Sequence, residues 1–257
     1  MSRIVIKVGS AILTNDGELA FERLANLVEF IAELKKQNNE IILVSSGAVA
    51  AGYTLLRLGM KIVKNKQVLA SLGQPLLLDT YRKKFLKYDL LCSQVLLEAT
   101  IFNDNTRLNH AKEAINVMLK NNIIPIINEN DVTAIAELVF GDNDQLSAHI
   151  TYFFDAELLV ILTDIDGYYD DNPKTNSNAS LQKRVSCISK NELEATSTAN
   201  SEFATGGIVT KLKAANFLLN HNKQMFLANG FDLTNIKKYM LDGIHESGTL
   251  FTKSKEL

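Results

Sequence analysis

The sequence predicts an α/β protein in which helices cover both faces of a mainly parallel sheet. Three observations carry this reading. Short apolar runs alternate with longer stretches of helical periodicity along nearly the whole chain, the pattern of crossover units. The first 44 residues already complete one strand–helix–strand unit. Glycine, serine, asparagine and aspartate gather just after the apolar runs, where open parallel sheets place their ligands.

Taken in order, residues 4–7 read as the first strand. Phe21, Leu24, Leu27, Val28, Ile31 and Leu34 then recur at helical spacing, and Asn38-Asn39 ends that helix before a second strand at 41–44. Further buried strands are predicted at 92–97, 123–127, 158–162 and 224–228, and a last one around Leu250. Helices are predicted near 65–87, 105–121, 144–154, 209–221 and 233–241. Residues 133–139 are too short for a crossover helix and read as a hairpin arm. Residues 170–180, rich in Asn, Asp and Ser around Pro173, read as an exposed loop. No repeat or linker divides the chain, so one domain over residues 1–257 is expected.

Charge and composition exclude several functions. Against 29 acidic residues stand 27 Lys and Arg, a net charge of −2, so no global positive field draws nucleic acid or anionic lipid. An apolar content of 46% with 13 Gly and only 3 Pro fits a packed globule and not a disordered chain. The apolar run at 158–162 stops at Asp164, and the one at 4–6 stops at Lys7, short of a bilayer span or a signal-peptide core. Cys92 and Cys187 lack CxxC or Cys/His spacing, so both read as small core residues in a reducing, cytoplasmic setting. His110, His149, His221 and His245 show no metal spacing and read as surface or packed histidines. Asp164-Ile165-Asp166-Gly167 opens like a calcium loop, but its glycine is two places early and Thr175 stands where Glu belongs.

The chemistry is sought at the strand ends. Lys7, followed by Gly9 and Ser10, can set an ammonium beside a phosphate that the backbone also approaches; a solvated strand-end lysine is the plainer alternative. Ser45-Ser46-Gly47, leading into Ala48, Ala50, Ala51 and Gly52, is either an anion site at a helix start or a serine cap beneath a tightly packed helix. Thr205-Gly206-Gly207-Ile208-Val209-Thr210-Lys211 joins close backbone approach, helix-dipole attraction and a mobile cation, all suited to a polyphosphate. It is not a Walker A loop, and no GxG dinucleotide fingerprint occurs. In Gly141-Asp142-Asn143-Asp144, a capping box with Gln145 accounts for Asp142 but leaves Asp144 unexplained. Asn128, Asn130 and Asp131 offer amide and carboxylate groups to the ammonium and carboxylate of a small polar ligand, or serve Asx-turns.

As an ordered set, Ile4-Val5-Ile6-Lys7-Val8-Gly9-Ser10, Val44-Ser45-Ser46-Gly47, Ile126-Ile127-Asn128-Glu129-Asn130-Asp131, Gly141-Asp142-Asn143-Asp144, Leu162-Thr163-Asp164 and Thr205-Gly206-Gly207 with Lys211 resemble the amino acid kinase family over nearly the whole chain. The resemblance implies a three-layer αβα sandwich around a mostly parallel eight-stranded sheet. It also implies ATP-dependent phosphorylation of the side-chain carboxylate of L-glutamate, the first step of proline biosynthesis. Carried over by position, Ser46, Asp131 and Asn143, helped by Asn128, resemble the glutamate contacts. Lys7, Gly9, Ser10, Thr163, Asp164 and residues 205–211 resemble the nucleotide site, and Asp144 the carboxylate that holds Lys7 and Lys211 in place. Magnesium is then expected on the ATP phosphates, with no direct protein ligand assigned. Proline as feedback inhibitor and a dimeric or tetrameric homo-oligomer are further implications. The alternatives are a relative acting on another small acid and a non-catalytic nucleotide sensor of the same fold.

Two features depart from the family pattern. Many members append a C-terminal PUA domain, which this chain is expected to lack, since it ends at Leu257 soon after its last predicted strand. The phosphate loop has Glu202-Phe203-Ala204 where glycine is usual, and Ile208 where the family places methionine.

Overall fold

The computed structural model describes residues 1–15, 17–134, 143–171, 173, 176, 178–194 and 207–254. In chain order its elements are β1 (Arg3–Val8), α1 (Ser10–Leu13), β2 (Thr14–Asn15), β3 (Glu18–Leu19), α2 (Phe21–Lys36), β4 (Glu40–Ser45), α3 (Ala48–Leu55), α4 (Val63–Phe85) and β5 (Leu91–Leu97). There follow α5 (Asn105–Lys120), β6 (Ile123–Glu129), α6 (Asn143–Phe153), β7 (Leu158–Thr163), β8 (Arg184–Val185), α7 (Lys190–Glu194), α8 (Ile208–Asn220), β9 (Gln224–Asn229), α9 (Thr234–Lys237) and β10 (Thr249–Phe251).

Eight strands form one sheet in the order β5-β6-β4-β1-β7-β9-β10-β8. The six from β5 to β9 run parallel, β10 is antiparallel to β9, and β8 is parallel to β10. The inner strands β1, β4 and β7 are continuous apolar runs because both of their faces are covered. Alternation along β1 divides the core. Ile4, Ile6 and Val8 join the cluster under α2 and α4, whereas Val5 joins the one under α5, α6 and α8. Lys7 lies two residues beyond Val5, so the strand's period of two turns its side chain toward the α6 and α8 layer.

The turns from helix to strand use short polar residues in the left-handed region. Asn38 (φ +62°) follows α2, Asn122 (φ +59°) follows α5 and Asn222 (φ +54°) follows α8. Asparagine tolerates this backbone through local hydrogen bonding, which is why Asn38-Asn39 was a readable stop. The predicted strands agree with β1, β4, β5, β6, β7, β9 and β10 to within two residues. No helix among the described residues is long and apolar enough to cross a membrane.

Several expectations need correction. β8 has only two residues and carries no periodic signal, so its place at the sheet edge was not foreseen. The helix expected at 233–241 is α9 followed by a single π turn, Lys238–Asp242. Of the proposed hairpin arm, Thr133 and Ala134 donate to the Asn130 carbonyl at 3.0 and 2.8 Å, and residues 135–139 lie outside the described ones, so the arm itself is not described. The loop expected at 170–180 needs no correction, since its described residues form neither helix nor strand. Cys187 is exposed and Cys92 half-buried, so neither is a core residue. β5 is an edge strand, and Cys92 packs half-buried against the cluster under α2 and α4.

The small residues after Ser46 pack α3 against α4. A Cβ on Gly52 would lie 1.9 Å from the Leu69 carbonyl oxygen, and one on Gly73 would lie 1.9 Å from that of Ala48. Both obstacles are backbone, so an added methyl must part the helices. Gly73→Ala is expected to lower unfolding stability by about 1–3 kcal/mol or more, measured by urea denaturation. An unchanged denaturation midpoint would contradict the packing described.

Candidate active site

The site forms at the carboxyl ends of β1, β4, β6 and β7, where the chain order reverses across β1. Lys7 is opposite Val44 of β4 and Ile161 of β7, so it stands at that reversal. Its ammonium donates to Oδ1 of Asp144 in the first turn of α6. Lys211, from α8, donates to Oδ2 of the same carboxylate at 3.1 Å. The three side chains are buried, Asp144 completely and the lysines at 6% and 5% exposure. A third donor, Thr210 Oγ1, reaches Asp144 Oδ2 at 3.0 Å, and Ser147 Oγ donates to the Asp144 backbone carbonyl.

One carboxylate thus sits between two ammonium groups in a site shielded from water. Low dielectric strengthens both attractions. Gly207 caps α8 with no side-chain hydrogen bond, so the first N–H groups of that 13-residue helix face the same region with their positive dipole end. Ile208 is exposed and Val209 buried beside them. Gly9 follows β1 and donates its N–H to the Leu162 carbonyl at 3.3 Å; Ser10 begins α1. At the end of β7, Thr163 Oγ1 donates to the exposed carboxylate of Asp164 at 3.1 Å. Thr205 and Gly206 lie outside the described residues, as do Glu202, Phe203 and Ala204.

A second group of side chains is linked by amides. Asn143 Nδ2 donates to Ser46 Oγ and to Asn128 Oδ1, each at 3.0 Å, and all three residues are buried. Since Asn143 and Asp144 are consecutive on α6, this cluster adjoins the lysine pair. Asp131, just after β6, is 7% exposed, and its buried Oδ1 has no hydrogen-bond partner among the described residues. Burial first, and the Glu129 carboxylate second, push its pKa up to about 7. A cavity of about 220 Å³ lies beside it, lined among others by Gln74, Gln94, Glu129 and Asp131. An unsatisfied buried carboxylate at a cavity wall suits a cationic group of a ligand.

The structure brings Lys7, Asp144 and Lys211 into contact and joins Ser46, Asn128 and Asn143. It corrects the serine-cap alternative: the N-cap of α3 is Gly47, at φ +106°, and no side chain caps the helix. Ser45 does not face a ligand, because its hydroxyl bonds Tyr81 and the Ser46 carbonyl, each at 2.9 Å. Gln145 donates its amide to the Thr210 carbonyl at 3.2 Å; Gly141 and Asp142, and with them the capping box, lie outside the described residues. Sequence reasoning missed the grip of Thr210 on Asp144 and the place of Gln74 against Asn128. The i, i+1 pairing of Thr210 with Lys211 at a helix start was the available signal for the first; nothing local signalled the second.

Among the described residues no group of three His, Cys, Asp or Glu could hold a metal ion. Asp144 already accepts two ammonium groups and a hydroxyl, so it is a poor ligand for a further cation.

Comparison with known proteins agrees with this architecture. The sequence model of the amino acid kinase family matches residues 2–229, and the chain belongs to that family. Within it, the chain is 50% identical to the glutamate 5-kinase of Wolinella succinogenes, with both chains covered completely. It is 51% identical to the glutamate 5-kinase of Leishmania donovani, over 98% of this chain and 95% of the other. An isopentenyl phosphate kinase structure superposes with a TM-score of 0.66 at 17% identity, covering 97% of this chain and 100% of that one. The UMP kinase of Bacillus anthracis gives a TM-score of 0.63 at 15% identity, over 100% of this chain and 98% of the other. These two likenesses concern the fold.

Asp144→Asn should destabilise the protein by about 3–5 kcal/mol, because two buried ammonium groups lose their shared counter-charge. Thermal and denaturant unfolding measure this. Inorganic tripolyphosphate is expected to raise the variant's melting temperature more than that of the unaltered protein. Stability equal to the parent's would remove Asp144 as the keystone of the site.

Proposed function

We infer that the protein transfers the γ-phosphoryl group of ATP to the side-chain carboxylate of L-glutamate, giving glutamyl 5-phosphate and ADP. The observation that carries this is the Lys7–Asp144–Lys211 arrangement beside an amide and carboxylate cradle. Full-length identity to glutamate 5-kinases supports the choice of substrate.

The chemistry follows from charge. A glutamate side chain has an ordinary pKa of about 4.3, so the nucleophile arrives ionised at neutral pH and needs no general base. What opposes reaction is repulsion between an attacking anion and the triphosphate, and catalysis is alignment plus electrostatic compensation. The carboxylate oxygen attacks the γ-phosphorus in line, the bond to the β–γ bridging oxygen breaks, and ADP leaves with that electron pair. Lys7, at the strand end, stabilises the transferring group; Lys211 stabilises the charge developing on the bridge. Asp144 accepts hydrogen bonds from both and takes no proton. The N–H groups opening α8, together with Gly9, Ser10, Thr163, Asp164, Thr205 and Gly206, hold the nucleotide. Magnesium fits here as an ion carried by the phosphates, whose charge it neutralises, since Asp144 is occupied.

For the amino acid, the Ser46 hydroxyl, held by Asn143, meets a carboxylate or carbonyl edge, and Asp131 takes the α-ammonium. Proline carries the same α-amino and α-carboxylate groups, which suits inhibition at this cradle. The exposed thiol of Cys187 supports a reducing, cytoplasmic setting.

Trapping with hydroxylamine tests the reaction: ATP, magnesium and L-glutamate should give glutamyl hydroxamate, and its absence overturns the reading. Lys211→Ala should lower kcat by about 10²–10³. Near-normal turnover would take Lys211 out of the chemistry.

The raised pKa of Asp131 sets a pH dependence. The folded protein keeps a proton there up to about pH 7, while the unfolded chain loses it near the ordinary 3.8. This group therefore lowers stability as pH rises through that window. The α-ammonium pairs with the ionised form, so binding below pH 7 also requires loss of that proton. KM for glutamate is expected to rise by up to about tenfold for each pH unit below 7. Asp131→Asn should raise it about ten- to a hundredfold and flatten the profile. A parallel rise in the ATP KM would contradict this assignment.

A further inference from the structure

The amide cluster does not end at Asn128. Asn128 Nδ2 donates to Gln74 Oε1 at 3.0 Å, while Asn128 Oδ1 accepts from Asn143 Nδ2 at 3.0 Å. Gln74 Nε2 in turn reaches Gln94 Oε1 on β5 at 3.4 Å. Gln74 is 9% exposed and follows Gly73, which lies close against the Ala48 carbonyl of α3.

A carboxamide has an acceptor end and a donor end of nearly the same shape, so its partners decide which way it faces. Gln74 Oε1 can only accept. It therefore commits the Asn128 NH₂ group to α4 and turns the Asn128 carbonyl toward Asn143. Asn143 must then present its NH₂ group, which serves both Asn128 Oδ1 and Ser46 Oγ. Ser46 Oγ, having accepted from Asn143, keeps its own proton for another acceptor. A substrate carboxylate is such an acceptor. If Asn128 were reversed, two NH₂ groups would face each other in a buried place, and the Asn143 amide would turn as well.

We propose that Gln74 is a positioning residue for the amino-acid substrate: through Asn128 and Asn143 it sets the direction of the hydrogen-bond relay that ends at the Ser46 hydroxyl. This rests on the reading of Ser46, Asn128 and Asn143 as the glutamate cradle. Gln74 touches neither lysine of the catalytic trio in any described hydrogen bond, so its influence falls on the acid and not on the nucleotide.

The test compares Gln74→Met, which keeps length and loses the acceptor, with Gln74→Glu, which keeps the acceptor. Steady-state kinetics should show Gln74→Met raising the glutamate KM about five- to thirtyfold, the ATP KM staying within about twofold. Gln74→Glu should hold the glutamate KM within about threefold of the parent value, a rescue that mere packing does not predict. In a Ser46→Ala background, where the relay's last hydroxyl is gone, Gln74→Met should add less than about twofold. If Gln74→Met does not fold, Gln74→Asn, one methylene too short to reach Asn128, must show the same selective rise. An unchanged glutamate KM, equal rises for both substrates, or full additivity with Ser46→Ala overturns the proposal. Wild-type protein that forms no glutamyl hydroxamate overturns the functional reading instead, so the two failures are distinguishable.

Discussion

A single buried carboxylate shared by two ammonium groups organises the functional end of this molecule. Asp144 comes from α6, Lys7 from β1 and Lys211 from α8, so one acidic side chain ties the central strand to two helices of the same layer. Taking three charged groups out of water is costly, and the arrangement persists only because each charge has a close opposite. That requirement constrains the fold as much as the chemistry. β1 must end where α6 begins, and the first turns of α8 must face both.

The shared carboxylate has a direct functional meaning. An isolated pair of lysines would repel, whereas two ammonium groups on one carboxylate hold their geometry and can both turn toward a triphosphate. The ammonium groups need no reorganisation as negative charge moves along the reacting axis. Thr210 strengthens the device by donating to the same Oδ2, which restrains the carboxylate that restrains the lysines.

Around this centre the polar residues divide by chemistry. Amides surround the nucleophile's side, where carbonyl and NH₂ groups can bind a zwitterion without adding net charge. Asp131 and Glu129 are the exceptions, and the raised pKa of Asp131 reports the cost of holding one carboxylate in a dry wall beside another. The packing of α3 on α4 through Gly52 and Gly73 brings Gln74 within reach of Asn128. Helix packing and substrate recognition thus meet in adjacent residues of one helix.

The sequence by itself determined the layered α/β class, seven of the eight strands and the turns closed by asparagine, because hydrophobic period and backbone preference are local properties. It also pointed to Lys7, Ser46, Asn128 and Asp131, polar residues at or just after the ends of apolar strands, and to Asn143, Asp144 and Lys211 in the first turns of helices. The family resemblance already implied that Asp144 holds both lysines; only the tertiary structure decided that Thr210 grips the same carboxylate, that Ser45 turns to Tyr81 while Ser46 turns to Asn143, and that Gln74 closes the amide chain. These depend on which elements become neighbours and how closely helices approach, over a separation of 54 residues for Gln74 and Asn128. Hydrogen bonds between distant amides leave no periodic trace, and a two-residue edge strand such as β8 exists because its neighbour offers free backbone groups, not because its residues prefer it.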